Sequence, residues 1–217
     1  MRLYLTLSPN TEVVPFDYQH FLTGAFHKWV GWNSIHNEVS LYSLSWLQGA
    51  YQKHNGFGFP NGACWFISIY DEKLLKRTLS GILENPEVCC GMSVVDVRIQ
   101  EPPRFSSTER FILASPVLAR KSDGQTLLHL AYDHPEVNDV LTKTLHTKLI
   151  KAGLEPDASV KFDSSYGRPK TKLVTIKGIQ NKANFCPVIV EGSSDKIAFT
   201  WTVGVGHLTG SGFGSLR

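Results

Sequence analysis

The chain is poor in cysteine and has no long apolar run. Its four cysteines are Cys64, Cys89, Cys90 and Cys186. They form no CxxC pair and no HExxH is present, so the paired ligand spacings of structural zinc sites are missing and no metal or other cofactor is indicated. The longest apolar runs fall far short of the ~20 residues of a membrane-spanning helix, and Ser8 and Pro9 come too early for a signal peptide. We expect a cytoplasmic protein with reduced thiols and no membrane partner.

Acidic residues are scarce in one stretch of the chain. The formal net charge is +3, but residues 143 to 182 hold nine Lys or Arg against three Asp or Glu, so that +6 lies there and −3 in the remainder. Such a concentration favours a polyanionic partner, although a solvated lysine-rich surface gives the same pattern. Charge alone leaves both interpretations open.

The hydrophobic pattern of residues 1 to 101 predicts a ferredoxin-like unit. We predict strands at 2–7, 39–47, 63–70 and 88–99. A helix is predicted from Asp17 to Gly31 with Asp17 as its N-cap, and another from Asp71 to Asn85, ending before Pro86. The resulting order βαββαβ is that of a ferredoxin-like unit.

Pro102 and Pro103 interrupt this pattern and mark the predicted boundary between domains 1–101 and 104–217. In the second domain we predict strands at 110–120, 126–130, 159–163, 172–177, 185–191 and 196–203. One helix is predicted at 135–152, with a proline at its start and Gly153 after its end. The predicted fold class is α+β: two tandem ferredoxin-like, RRM-like units with antiparallel sheets and a glycine-rich loop at the C-terminus.

The C-terminal loop, residues 204 to 214, contains five glycines in eleven residues. A dinucleotide-binding GxGxxG motif is excluded because its third glycine would fall on Thr209 and too little chain follows. A P-loop is excluded because no Gly-Lys-Ser/Thr follows. Glycine allows positive φ and close approach of another backbone. The loop is therefore predicted to approach a ligand, with a purely structural turn as the alternative.

Three parts of the sequence together resemble one protein family. They are the C-terminal GxG and GxGFG pattern, the strand MRLYLTL followed by a proline and the run Phe21 to Phe26, and the central segments Asn85 to Val88, Ser115-Pro116 and Lys172 to Lys177. These features resemble the CRISPR-associated endoribonucleases of the RAMP type that process repeat-containing precursor RNA. The resemblance implies metal-independent cleavage of CRISPR precursor RNA within its repeats, leaving 2′,3′-cyclic phosphate and 5′-hydroxyl ends.

Two other interpretations remain beside this one. A non-catalytic RNA-binding subunit of a CRISPR effector complex is the main alternative, and a ferredoxin-like small-molecule-binding protein is the second. Subunits of an effector complex and a second copy of the chain are further partners that the resemblance leaves open.

Metal-free RNA cleavage needs a base for the 2′-hydroxyl proton and an acid for the leaving 5′-oxygen, and histidine can serve as either near neutral pH. One face of the first predicted helix carries large apolar residues and an alanine: Tyr18, Leu22, Ala25 and Trp29. His27 lies on the opposite side, which His20 and Gly24 share. In the family, a tyrosine or histidine of this helix works with a histidine just after it. The resemblance therefore assigns catalysis to His27 and His36, with idle surface histidines as the alternative.

The remaining site predictions concern RNA contacts. Many family members have a lysine shortly after the second histidine, where this chain has Glu38 or a deletion. Lys28 or Lys53 could supply that positive charge. The basic stretch before the strand at 172–177 could contact phosphates, which add affinity without reading bases, although a solvated surface explains single residues as well. The predicted RNA-binding residues are Lys28, Arg168, Lys170, Lys172, Gly204, Gly206, His207, Gly210, Ser211, Gly212 and Gly214.

Overall fold

The fold is known from a computed structural model that describes residues 1–31, 39–122, 124 and 126–217. The strands of this part of the chain are β1 (Arg2–Leu7), β2 (Tyr42–Leu44), β3 (Tyr51–Lys53), β4 (Gly56–Gly58), β5 (Ala63–Ile69), β6 (Glu87–Cys89), β7 (Met92–Gln100), β8 (Thr108–Phe111), β9 (Ala119–Ser122), β10 (Leu127–Leu130), β11 (Ser159–Phe162), β12 (Lys170–Ile176), β13 (Ile179–Phe185) and β14 (Val188–Glu191). The helices are α1 (Gln19–Val30), α2 (Glu72–Glu84), α3 (Val137–Lys151) and α4 (Ser194–Val203), and a short 3₁₀ helix covers Thr209–Ser211.

The first half forms an antiparallel sheet in the order β2-β5-β1-β7-β6. Alternate residues of β1, namely Leu3, Leu5 and Leu7, are buried in one core with Phe26 of α1 and Trp65 of β5, because successive side chains of a strand point to opposite faces. Leaving out the short edge strand β6, the order of the sheet is that of a ferredoxin-like unit. The βαββαβ prediction for this half is confirmed.

The second half repeats the arrangement with two hairpins added. Its antiparallel sheet has the order β11-β14-β8, and the chain end pairs beside β8 through the bridge between Leu113 and Leu216 and the bond from Arg217 N to Ile112 O (2.9 Å). The fourth strand of this ferredoxin-like unit is thus reduced to the last residues. The hairpins β9–β10 and β12–β13 extend from this unit, and the predicted boundary at Pro102 and Pro103 falls between β7 and β8.

The strand predicted at 196–203 is wrong, because these residues belong to helix α4. Both sides of α4 are buried: it contacts β2 and β5 of the first unit and β14 of the second. The part of α4 from Ile197 to Val203 is buried on more than one side, so it lacks the one-sided apolar period that identifies a surface helix in sequence. The glycine-rich loop therefore follows a helix, whose end is marked by Gly204 with φ 70°.

Three further element predictions need correction. The strand predicted at 110–120 is two strands, β8 and β9, separated by the segment that contains Ser115-Pro116. The strand predicted at 88–99 is divided into β6 and β7 by a turn in which Cys90 has φ 50°. Asp17 is not the N-cap of α1, which begins after Tyr18 without a side-chain cap. Asp71 does cap α2, because its Oδ1 accepts a bond from Leu74 N at 2.7 Å.

Arg2 joins the two units at their centre. This residue is 1% exposed, and its guanidinium donates to Ser68 Oγ (2.7 Å), Trp201 O (3.3 Å) and Leu216 O (2.8 Å). Its Cζ lies 3.5 Å from the centroid of the Trp201 ring and 4.0 Å from that of Phe66. Burial lowers the pKa of Arg2 to about 10, so the side chain remains charged at neutral pH. The outer face of β1 and β5 is thereby fixed to α4 and to the chain end.

Membrane spans and metal clusters were sought only where the chain is described. No helix there is long and apolar enough to cross a membrane. The same residues contain no group of three or more His, Cys, Asp or Glu that could hold a metal ion.

Candidate active site

The glycine-rich loop is a folded element closed on itself. Val205 N donates to Gly214 O (2.9 Å), and Gly214 N donates to Pro116 O (2.8 Å). Phe213 is fully buried in a small core with Leu118 and Val174. Gly214 has φ 61°, and a Cβ there would collide with Val205 O. Close backbone packing therefore explains this glycine.

Part of the same loop lies directly on the first unit. Thr209 Oγ1 donates to Tyr42 O at 2.9 Å. A Cβ on Gly210 would lie 2.7 Å from both Ser40 Oγ and Tyr42 Oη, so a larger residue would have to displace these side chains. The loop and the start of β2 together form one wall of a cleft.

Lys148 of α3 holds the loop from the second unit. Its side chain is buried, and its Nζ donates to Val203 O (3.0 Å), Gly204 O (3.0 Å) and Thr209 Oγ1 (3.2 Å). Three acceptors match the three donors of an ammonium group. Burial lowers the pKa of Lys148 to about 7. Because Thr209 also donates to Tyr42 O, these contacts connect α3, the glycine-rich loop and β2.

The histidine cleft, as we call it, lies between α1 and this loop and has a volume of about 420 Å³. Its lining residues come from both units: His20, Thr23, Gly24, His27, Ser40, Tyr42, Ile176, Lys177, Leu208, Gly210 and Ser211. His20 and His27 are seven residues apart, almost two helical turns, and so share one side of α1. The apolar side of α1 is buried in the core of the first unit, as the sequence predicts, and His27 faces the cleft.

The tautomer of His20 follows from its hydrogen bond. Nδ1 lies 2.7 Å from Asp17 O, which can only accept, so Nδ1 carries a proton and Nε2 of the neutral ring is left as an acceptor. The other predicted catalytic residue, His36, lies outside the described residues. The described chain stops at Gly31 and resumes at Val39, and Ser40 lines the histidine cleft.

The basic cleft, a second cavity of about 560 Å³, lies on the other side of the loop. Its lining includes Arg120, Lys143, Lys148 and His207, and it shares Ser40 and Leu208 with the histidine cleft. Arg120 and Lys143 give the cavity a positive potential that suits a phosphate backbone.

His207 in the basic cleft is neutral at physiological pH. Arg120 N donates to its Nδ1 at 3.3 Å, which leaves the proton on Nε2. Burial and the charge of Arg120 lower the pKa of His207 to about 4. His207 can therefore donate a hydrogen bond to an anion, but it does not supply a positive charge at pH 7.

The other predicted RNA-binding residues fall in three places. Arg168 and Lys170 are exposed at the open end of the β12–β13 hairpin, and Lys172 lies with its Nζ 5.1 Å from the centroid of the Trp46 ring. Lys28 lines neither cleft. It donates instead to Asn85 Oδ1 (3.0 Å) and Glu87 O (2.6 Å), beside the end of α2.

The glycines differ in their access to a ligand. All five glycines of the loop are buried, but Gly206 lines the basic cleft, whereas Gly204 and Gly214 line neither cleft. Ser211 and Gly210 line the histidine cleft, and Gly212 O accepts a bond from Trp46 Nε1 at 2.8 Å. A direct contact of these residues with RNA stays a prediction.

Sequence reasoning missed four basic residues of the two clefts, and one of them, Lys143, carried no signal beyond its place in the basic stretch 143–182. Lys148 carried a usable signal, because it falls on the apolar side of α3 with Leu141 and Leu145, where a lysine is out of place. Lys177 has a weaker one, since Lys177-Gly178 at the end of an apolar strand indicates a turn. Arg120 had none, because its position depends on the packing of the glycine-rich loop against β9.

Two tandem ferredoxin-like units with a glycine-rich C-terminal loop are the arrangement that the sequence resemblance to CRISPR-associated proteins predicts. The family model of CRISPR associated protein Cas6, C-terminal, matches residues 99–217, more than half of the chain. The chain therefore belongs to the Cas6 family of CRISPR-associated proteins.

Solved structures show the same fold over the full length. The product of a Cas6-related gene from Pyrococcus furiosus has a TM-score of 0.85 at 20% identity, with coverage of 100% of this chain and 97% of that chain. A RAMP protein binding different RNA substrates has a TM-score of 0.81 at 20% identity, covering 100% and 98%. A CRISPR RNA processing endoribonuclease, Cas6b, has a TM-score of 0.56 at 13% identity, again covering 100% and 98%. The tandem ferredoxin-like prediction is confirmed, and no curated protein matches the sequence.

Proposed function

We propose that this protein is a metal-independent endoribonuclease that cuts CRISPR precursor RNA within its repeats to give guide RNAs. The observation that carries the proposal is the histidine cleft, where α1 presents His20 and His27 to the glycine-rich loop of a Cas6-family fold. One of the similar structures is itself a CRISPR RNA processing endoribonuclease, and another is a RAMP protein that binds RNA.

The proposed reaction is an in-line attack of a 2′-hydroxyl on the adjacent phosphorus. A base removes the hydroxyl proton and an acid protonates the departing 5′-oxygen, which leaves a 2′,3′-cyclic phosphate and a 5′-hydroxyl. His27 and His36 are the proposed pair. Support comes from His27, which lines the cleft, and from Ser40, which lines the same cleft four residues after His36 in the sequence.

Lys177 is the proposed source of positive charge at the scissile phosphate. Lys28 is engaged with Asn85 and Glu87, and Lys53 lines a different cavity with Tyr51 and Pro60. Lys177 lines the histidine cleft opposite α1. A cation there would stabilise the charge that develops on the phosphorane oxygens, the kind of electrostatic effect that contributes most to many enzymes.

The proposed RNA path continues from the histidine cleft into the basic cleft across Ser40 and Leu208. Arg120 and Lys143 are placed to contact phosphates there, while Arg168 and Lys170 offer further contacts on the hairpin. A cytoplasmic location, effector-complex subunits as partners and a homodimer stay predictions.

The proposal is tested with repeat RNA transcribed from the CRISPR array of the source genome. Cleavage should proceed in EDTA and stop when a 2′-deoxynucleotide stands immediately before the scissile phosphate, because attack needs that hydroxyl. His36→Ala should lower the single-turnover rate about 100-fold or more, the usual scale for a general acid or base, and His27→Ala should lower it less, with little change in RNA affinity.

His54→Ala is the matched control, since His54 is exposed and lines neither cleft, and it should cleave like the wild type. Full activity of His36→Ala would remove the central assignment, and restoration of EDTA-inhibited cleavage by magnesium would refute the metal-independent mechanism. Tight RNA binding without cleavage by the wild type would favour the alternative, a non-catalytic RNA-binding subunit.

A further inference from the structure

A third cavity, of about 450 Å³, continues the histidine cleft along α1 and β12. Its lining residues are Phe16, Asp17, Gln19, Trp46, Gln52, Phe57, Lys172, Leu173, Val174 and Thr175. On α1, Gln19 adjoins His20 of the histidine cleft, and on β12, Thr175 adjoins Ile176. We call this cavity the aromatic groove. The two cavities are therefore neighbours, with adjacent lining residues on both the helix and the hairpin.

Aromatic rings form the walls of this groove. Phe16 is 49% exposed, and its ring meets that of Phe57 edge to face at a centroid distance of 5.1 Å. Phe57 is fixed by paired backbone bonds with Val14 (3.0 and 2.7 Å). Trp46 is fixed by the bond from its Nε1 to Gly212 O. The groove thus offers a half-exposed aromatic ring, Phe16, held against the fixed ring of Phe57, and nucleobases stack on such rings.

A buried polar group in the groove is unsatisfied. Gln19 is 2% exposed, and its Oε1 has no hydrogen-bond partner within the described part of the chain. A buried acceptor without a partner costs free energy, so such groups call for an explanation. A donor from a bound molecule would satisfy it, and each of the four RNA bases carries at least one N–H donor on its Watson–Crick edge.

The charged residues of the groove indicate where the base and the phosphate of a bound nucleotide would lie. Lys172 lies above the Trp46 ring with its Nζ 5.1 Å from the centroid, where it can neutralise a phosphate at the rim. Asp17 also lines the groove, and its negative charge disfavours a phosphate inside it. The arrangement therefore suits a base inside and the backbone outside.

We propose that the aromatic groove is a subsite for one unpaired nucleotide, whose base stacks on Phe16 and bonds to Gln19 while Lys172 contacts its phosphate. The proposal rests on the proposed function in placing the same RNA strand in the histidine cleft. From Gln19 to His27 α1 extends about 12 Å, which separates the bound base from the scissile phosphate by two to four nucleotides. The subsite would make affinity depend on a base at that distance from the cut.

The test uses the repeat RNA of the source genome, with a 2′-deoxynucleotide before the scissile phosphate so that binding is measured without cleavage. Affinity is measured by fluorescence anisotropy for RNAs in which single positions are made abasic in turn. One position should weaken wild-type binding by about 5- to 150-fold, the range of base stacking on an aromatic side chain. Phe16→Ala should weaken the binding of intact RNA, and the same abasic site should then cost this variant only the roughly 3- to 10-fold that the bond to Gln19 contributes.

Two further variants separate stacking from folding effects. Gln19→Met keeps the size of the side chain and should weaken binding about 3- to 10-fold, the effect of one neutral hydrogen bond. Tyr51→Ala removes an aromatic side chain that is 66% exposed and lies outside the groove, and it should bind like the wild type.

Equal affinities of wild type and Phe16→Ala, or equal abasic sensitivity in both, would overturn the subsite. A protein that shows the Phe16-dependent abasic effect but never cleaves unmodified RNA would retain the subsite and lose the proposed nuclease function. A protein that cleaves the RNA but shows no position with a Phe16-dependent abasic effect would retain the proposed nuclease function and lose the subsite.

Discussion

Lys148 gives a prediction about stability that does not depend on RNA. The residue is 3% exposed and takes part in none of the salt bridges between described residues. Burial lowers its pKa to about 7 from the ordinary 10.5. Between these two values the unfolded chain binds a proton at this position that the folded chain does not bind. The free energy of unfolding should therefore rise with pH across this window and fall as the pH returns to 7.

The magnitude follows from proton linkage. Each pH unit inside the window contributes about 1.4 kcal/mol, and the effect fades near pH 7, where the folded protein becomes protonated. From pH 6 to pH 9 the expected gain is about 2.7 kcal/mol. Arg120 and His207 line the same cavity, but the pKa of His207, about 4, lies below the window, and arginine stays charged throughout.

The assay is urea unfolding at pH 6 to 9 for the wild type and for Lys148→Met. Methionine keeps the length of the side chain and removes the titrating group, so the difference between the two proteins isolates Lys148 from other groups that titrate. The stability of the wild type relative to the variant should rise by about 2.7 kcal/mol over this range. Parallel pH profiles would refute the reasoning and show that the contacts to Val203 O, Gly204 O and Thr209 Oγ1 offset the burial.

Two other predictions test the RNA surface and the junction between the units. Replacing Arg168 and Lys170 together with alanine should weaken RNA binding and reduce the slope of log affinity against log salt by about 0.7 per lost phosphate contact. The control Lys76→Ala, on α2, should leave the slope unchanged. An unchanged slope in the double variant would show that these two residues are solvated surface without RNA contacts. Arg2→Met should lower the free energy of unfolding by about 3 kcal/mol, because it leaves buried acceptors such as Trp201 O without a donor. Urea unfolding measures this, and equal midpoints for the wild type and the variant would show that the guanidinium makes no net contribution to stability.

The first unit could be predicted from the sequence because its signals are local. The alternating leucines of β1 and the helical period of α1 each reflect burial on one face, and the structure buries those faces. The second unit was harder because α4 and β9 depend on their surroundings. The apolar run of α4 is compatible with either a strand or a helix, and only its enclosure between the units decides between them.

In the candidate site, too, some features follow from the local sequence and others depend on tertiary packing. His27 could be placed on the exposed side of α1 from periodicity alone, and the cleft confirms this orientation. Its neighbours in the cleft could not be foreseen, since Lys177 and Leu208 are more than 140 residues away in the chain and approach α1 only through tertiary packing. Gln19 was hidden for a different reason: an unsatisfied acceptor is a property of its surroundings, which the sequence does not contain.

The buried basic residues find a common explanation at the C-terminal end of α4. A helix leaves its last four carbonyls without partners inside the helix. Here Thr200 O accepts from Gly204 N (2.8 Å), Trp201 O from Arg2 (3.3 Å), Thr202 O from Ser43 Oγ (2.9 Å) and Val203 O from Lys148 (3.0 Å).

Two of these donors, Arg2 and Lys148, are basic groups at the negative end of a helix dipole, which favours their charged forms without a carboxylate. Arg2 and Ser43 belong to the first unit and Lys148 to α3, so both units terminate the same helix. The glycine-rich loop begins at that helix end, at Gly204. Its position over the histidine cleft is therefore set jointly by the two units, and a change in the docking of either one would move the loop relative to His27.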